Sequence, residues 1–133
     1  MKFIIDNIWI IGVAVISGAT LLFPLFQRRG SKLTQSQAIQ YMNQGKTLIL
    51  DVRSAEEFAS GHLQNAKHIP LADLGNRLKE IEKSKKNTVI TTCERGVRSG
   101  SAAVLLAKAG FEQVFSLEGG VAAWKSQGLP TVK

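Results

Sequence analysis

The single cysteine of this 133-residue chain, Cys93, opens the segment Cys93-Glu94-Arg95-Gly96-Val97-Arg98-Ser99-Gly100. The apolar, β-branched run Val89-Ile90-Thr91-Thr92 precedes it, and Ser101 to Ala107 follow with a helical pattern, so the segment reads as a tight loop between strand and helix. That placement suits thiol chemistry. Loop N–H groups curling toward the sulfur, and a helix N-terminus aimed at it, both favour thiolate over thiol. Arg98 adds a positive charge nearby, Gly96 permits backbone geometry that other residues resist, and Ser99 is placed to cap the following helix. Glu94 works against an anionic sulfur, so its side chain is expected to point outward.

The elements that must hold this loop can be followed along the chain. Thr34 with Gln37 makes a capping-box pair ahead of Ala38, Ile39 and Met42, and Asn43-Gln44-Gly45 closes that short helix. Thr47-Leu48-Ile49-Leu50 is a continuous apolar run of strand length, as in a parallel sheet buried on both faces. Asp51 ends it, and Ser54 with Glu57 forms a second capping box before Gly61. Functional groups of an open α/β sheet gather beyond the carboxyl ends of its strands, where Asp51 and Cys93 would both lie. Ala66 to Pro70 reads as a short strand, and Leu71, Leu74, Leu78 and Ile81 as the buried stripe of one further helix. Gln113 to Leu117 is a last strand, and Trp124 packs on the core from the last helix. Strands alternating with helices predict an α/β fold with parallel connections.

The cysteine loop, Leu50-Asp51-Val52-Arg53, Glu57-Phe58, Gly61-His62, His68-Ile69-Pro70-Leu71 and the closing Leu117-Glu118-Gly119-Gly120-Val121-Ala122-Ala123-Trp124 together resemble the rhodanese family, over about residues 34 to 131. The resemblance implies a three-layer α/β domain over 34–133, of the bacterial single-domain type, with a mostly parallel sheet flanked by helices. It also implies sulfur transfer: Cys93 takes the outer sulfur of a small anionic donor such as thiosulfate and passes it to a thiol or cyanide acceptor. Cys93 is then the catalytic residue, and Glu94, Arg95, Gly96, Val97, Arg98 and Ser99 form the substrate-binding loop. Asp51 and Arg53 support it, with Asp51 orienting Arg53 or accepting loop N–H groups; a plain structural ion pair is the alternative for these two.

Two other readings of the loop remain open. One is a rhodanese-like module that docks on a partner without turnover. The other is cysteine-based phosphatase or arsenate reductase chemistry, which the spacing disfavours, since the related phosphatases carry one more residue between cysteine and arginine. No cofactor is implied. One cysteine excludes an internal disulfide and a cysteine-rich metal site, and His62 and His68 stand without ligands at metal-binding spacing, as structural or surface residues.

The net charge of +7, from 17 Lys and Arg against 10 Asp and Glu, comes without the aromatic interleaving of a nucleic-acid platform, so no nucleic-acid partner is expected. From Ile8 to Phe26 the chain carries no charge. About nineteen residues at helical rise span roughly 28 Å, which predicts a single-pass transmembrane anchor within residues 1–27 and a basic connector over 28–33. A cleaved signal peptide and a buried core helix are the alternatives; Asp6 and the length of the run disfavour the first. Lys2 before the run, against Arg28, Arg29 and Lys32 after it, would place the C-terminal domain on the cytoplasmic side of a bacterial inner membrane, with lipid as a partner and a membrane protein as a candidate one.

Overall fold

A computed structural model describes the backbone of residues 2–27 and 31–133, and the side chains of 2–17 and 31–133. Two helices, α1 (Lys2–Asp6) and α2 (Ile8–Gln27), come first. Among the described residues no helix is long and apolar enough to cross a membrane. The expected transmembrane anchor, its lipid contact and the inner-membrane location are therefore corrected. The expectations for Arg28 and Arg29 lie outside the described residues.

The remaining elements alternate strand and helix: β1 (Ser31–Leu33), α3 (Gln35–Asn43), β2 (Thr47–Asp51), α4 (Ala55–Ala59), β3 (Lys67–His68), α5 (Leu71–Leu74), a 3₁₀ segment (Leu78–Ser84), β4 (Thr88–Thr92), α6 (Val97–Lys108), β5 (Gln113–Leu117) and α7 (Gly120–Ser126). The strands form one sheet in the order β1-β5-β4-β2-β3, with every pairing parallel. Ser31–Leu33, expected in the polar connector, instead forms the edge strand against β5. β4 is buried along its whole length, as the centre of a sheet covered on both faces must be.

Because neighbouring side chains on a strand point to opposite faces, the apolar runs of β2 and β4 feed two cores. Leu50 and Val89 join Leu74, Ile81, Ala102 and Leu106 in one. Ile49 and Ile90 join Ala38, Leu63, Val121 and Trp124 in the other. Both expected capping boxes are present, at Thr34/Gln37 and Ser54/Glu57. The single helix expected over Leu71 to Ile81 is split, because the chain turns at Gly75-Asn76-Arg77 before the 3₁₀ segment begins. The stripe survives that break: Leu74 and Ile81 are fully buried, with Leu71 and Leu78 packed beside them.

Candidate active site

β4 delivers Cys93 at its carboxyl end, and Gly96 turns the chain at φ 99° into α6, which starts at Val97. Cys93 is only 1% exposed. Its Sγ accepts a hydrogen bond from the Gly96 N–H at 3.0 Å and lies 3.5 Å from the Ser99 hydroxyl. Ser99 is not the helix cap; Gly96 holds that position, and the Ser99 Oγ–H donates to the Gly96 carbonyl at 3.1 Å. The N–H groups of Val97, Arg98 and Ser99 belong to the first turn of α6, where no preceding helical carbonyl exists to accept them.

The loop is braced from below by α7. The Val121 N–H donates to the Cys93 carbonyl at 2.8 Å and the Ala122 N–H to the Glu94 carbonyl at 3.0 Å. This close approach requires Gly120: its φ is +61°, and a Cβ there would lie 2.2 Å from the Cys93 carbonyl oxygen.

A second network stands on the β2 side. Asp51, fully buried, takes a forked pair of bonds from the Arg53 guanidinium, at 3.0 Å from Nε and 2.9 Å from Nη2, and another from the Arg53 N–H. Arg53 is itself 1% exposed; it also donates to the Gly61 carbonyl at 2.6 Å and to Glu94 at 3.1 Å. Burial works to lower the Arg53 pKa, yet the bonds and charges of Asp51 and Glu94 together raise it. Asp51 thus meets Arg53 and no loop N–H. Glu94, expected to point outward, turns toward Arg53, because a buried guanidinium with donors to spare attracts any carboxylate in reach.

Arg98 does not face the sulfur as an unpaired cation. Its two terminal nitrogens bind the Glu57 carboxylate at 2.7 and 2.8 Å, and chiefly through these bonds the Arg98 pKa is raised and that of Glu57 lowered to about 2. Arg95 is exposed, and among the described residues its side chain meets no hydrogen-bond or ion-pair partner. Val97, at the tip, is 80% exposed. Beside the loop, an open and mainly apolar cleft of about 420 Å³ runs between Val52, Ser54, Pro70, Leu71 and Arg98.

His62 and His68 stack on the Phe58 ring at centroid distances of 3.7 and 4.5 Å and bind the Phe58 and Arg53 carbonyls. No metal-holding group of side chains exists among the described residues. Sequence reasoning missed two participants. Gly120 carried a signal in the Gly119-Gly120 pair, since consecutive glycines before a helix mark a close backbone approach. Ser116, whose hydroxyl lies 2.7 Å from that of Ser99, carried none, because it sits within an otherwise ordinary strand.

The family model for the rhodanese-like domain matches residues 34–127. The chain belongs to the rhodanese-like domain family. Thiosulfate sulfurtransferase GlpE of Actinobacillus pleuropneumoniae is 36% identical over 88 residues, covering 66% of this chain and 79% of that protein. A Synechocystis protein, slr1261, is 37% identical over 94 residues, covering 71% of this chain. The matched part spans about half of slr1261, 51% of its length. A rhodanese-like domain protein from Staphylococcus aureus superposes with a TM-score of 0.66 at 30% identity, over 77% of this chain and 99% of that one. The parallel sheet and flanking helices expected from the resemblance are those of the family.

Proposed function

We propose that this chain is a sulfurtransferase that carries sulfur on Cys93. The observation that supports this most is the sulfur's setting: a Gly96 N–H at 3.0 Å, at the N-terminus of a twelve-residue helix whose first N–H groups lack helical acceptors. A terminal sulfur added to Sγ would extend the negative charge toward those donors, which would hold it as an oxyanion hole holds an oxyanion. The sulfurtransferase name borne by the Actinobacillus relative points the same way.

In the first step the Cys93 thiolate attacks the outer sulfur of a donor such as thiosulfate. A Cys93–S bond forms, the donor's S–S bond breaks, and its electron pair leaves with sulfite. In the second, a thiol or cyanide attacks the terminal sulfur and the thiolate is returned. With one cysteine in the chain, the acceptor comes from outside it. Arg98 and Arg53 are already neutralised by carboxylates, so Arg95 is the loop cation that draws in an anionic donor, while the adjoining cleft gives an acceptor room.

A second reading, docking on a partner without turnover, draws on the 1% exposure of Cys93 beneath an 80% exposed Val97. Intact-protein mass spectrometry after incubation with thiosulfate decides between them. Sulfur transfer adds one sulfur to the wild type and none to Cys93→Ser; no added sulfur across several donors refutes it.

A further inference from the structure

The Ser99 hydroxyl has one hydrogen and two lone pairs, and the structure engages all three. Its hydrogen goes to the Gly96 carbonyl at 3.1 Å, one lone pair faces Cys93 Sγ at 3.5 Å, and the other faces the Ser116 Oγ at 2.7 Å. With the Ser99 hydrogen so committed, Ser116 is the donor in the short contact. Both serines are buried, at 0% and 1% exposed. The Thr91 hydroxyl fixes the Ser99 backbone by donating to its carbonyl at 2.8 Å. A buried hydroxyl with one side-chain partner costs desolvation that an alanine in β5 would avoid.

We infer that Ser116 is a positioning residue for the Cys93 nucleophile. The inference rests on the proposed nucleophilic role of Cys93. While the thiol holds its proton, S–H donates to Ser99. Once that proton passes to solvent, Ser99 must turn its own hydrogen from the Gly96 carbonyl to the sulfur, which it can do only while its contact with Ser116 makes no call on that hydrogen. Ser116 donates in that contact before and after the change, so Ser99 becomes a polarised O–H aimed at an anionic sulfur. Thiolate and thiol are thereby both bonded, without movement of the backbone.

The test uses iodoacetamide, whose alkylation of Cys93 requires the thiolate and no sulfur donor: Sγ bonds to the methylene carbon and iodide leaves. Ser116→Ala lowers the alkylation rate at pH 6 by about three- to tenfold and leaves the limiting rate at pH 10 within about twofold. Ser116→Thr and Ser116→Val share one shape and differ in the hydroxyl. The threonine variant retains the pH 6 rate relative to the valine variant, even where both are less stable than the wild type. Equal rates for those two, an unchanged pH 6 rate in Ser116→Ala, or an equal fall at both pH values overturns the inference. Thiosulfate labelling of the same samples separates the two claims. A wild type that takes no sulfur from any donor defeats the sulfurtransferase reading whatever the alkylation profile shows.

Discussion

Replacing Gly120 by alanine tests how tightly α7 determines the site. The new Cβ would lie 2.2 Å from the Cys93 carbonyl oxygen and 2.7 Å from that of Glu94. Neither neighbour is the end of a flexible side chain, so relief to ordinary contact moves the start of the loop by about 1 Å. The left-handed backbone at φ +61° costs an alanine about 1–2 kcal/mol. Weakening the bonds from Val121 and Ala122 to the two loop carbonyls adds about 0.5–1.5 kcal/mol each. The expected loss is about 2–5 kcal/mol in chemical denaturation. In the folded fraction, a 1 Å shift of the nucleophile's backbone lowers sulfite release from thiosulfate by about 100-fold. Gly100→Ala is the control: nothing lies within 4 Å of its Cβ and it sits inside α6, so it should be neutral or stabilise by up to about 1 kcal/mol. A Gly120→Ala protein within about 0.5 kcal/mol of wild type and within twofold in rate would refute the bracing argument.

Arg53→Met leaves the buried Asp51 carboxylate without its fork, and thermal or denaturant unfolding should report a loss of about 3–5 kcal/mol. Arg53→Lys keeps the charge without the two-pronged geometry, and should recover only part of that loss. The carboxyl of Glu57, held down at about 2 chiefly by Arg98, contributes stability present in full above the unfolded carboxylate range near pH 4.5 and lost as pH falls toward 2. Glu57→Gln should therefore flatten the stability profile in that window. Glu80 is lowered in the same way by Arg77, so the comparison has to be with wild type, in which Glu80 titrates too. Arg95→Ala should raise KM for an anionic donor several-fold with kcat nearly unchanged, and make KM less sensitive to salt; an unchanged KM would place donor recruitment elsewhere.

Much of this architecture follows from local chemistry. Ser54 with Glu57, and Thr34 with Gln37, specify helix starts through short-range hydrogen bonds, and the apolar runs of β2 and β4 specify strands buried on both faces. Cys93 before a glycine-bearing loop and a helix is likewise a local pattern. The side-chain pairings were not local. Arg98 meets Glu57, and Arg53 meets Glu94, across 41 positions of sequence, and only the parallel register of β2 with β4 brings them together. For that reason sequence order alone sends Glu94 to solvent and Arg98 to the donor. Apolar length is a poorer guide at the N-terminus, where it predicts a membrane span that no helix among the described residues is long and apolar enough to make.

The attachment of α7 also fixes which way the loop's peptide dipoles face. In a trans peptide the N–H points opposite its C=O. Drawing the carbonyls of Cys93 and Glu94 back onto the N–H groups of Val121 and Ala122 turns the N–H groups of Glu94 and Arg95 away from α7. The last helix therefore acts on electrostatics without contributing a side chain: by gripping the negative ends of two peptide units, it commits their positive ends to the opposite side.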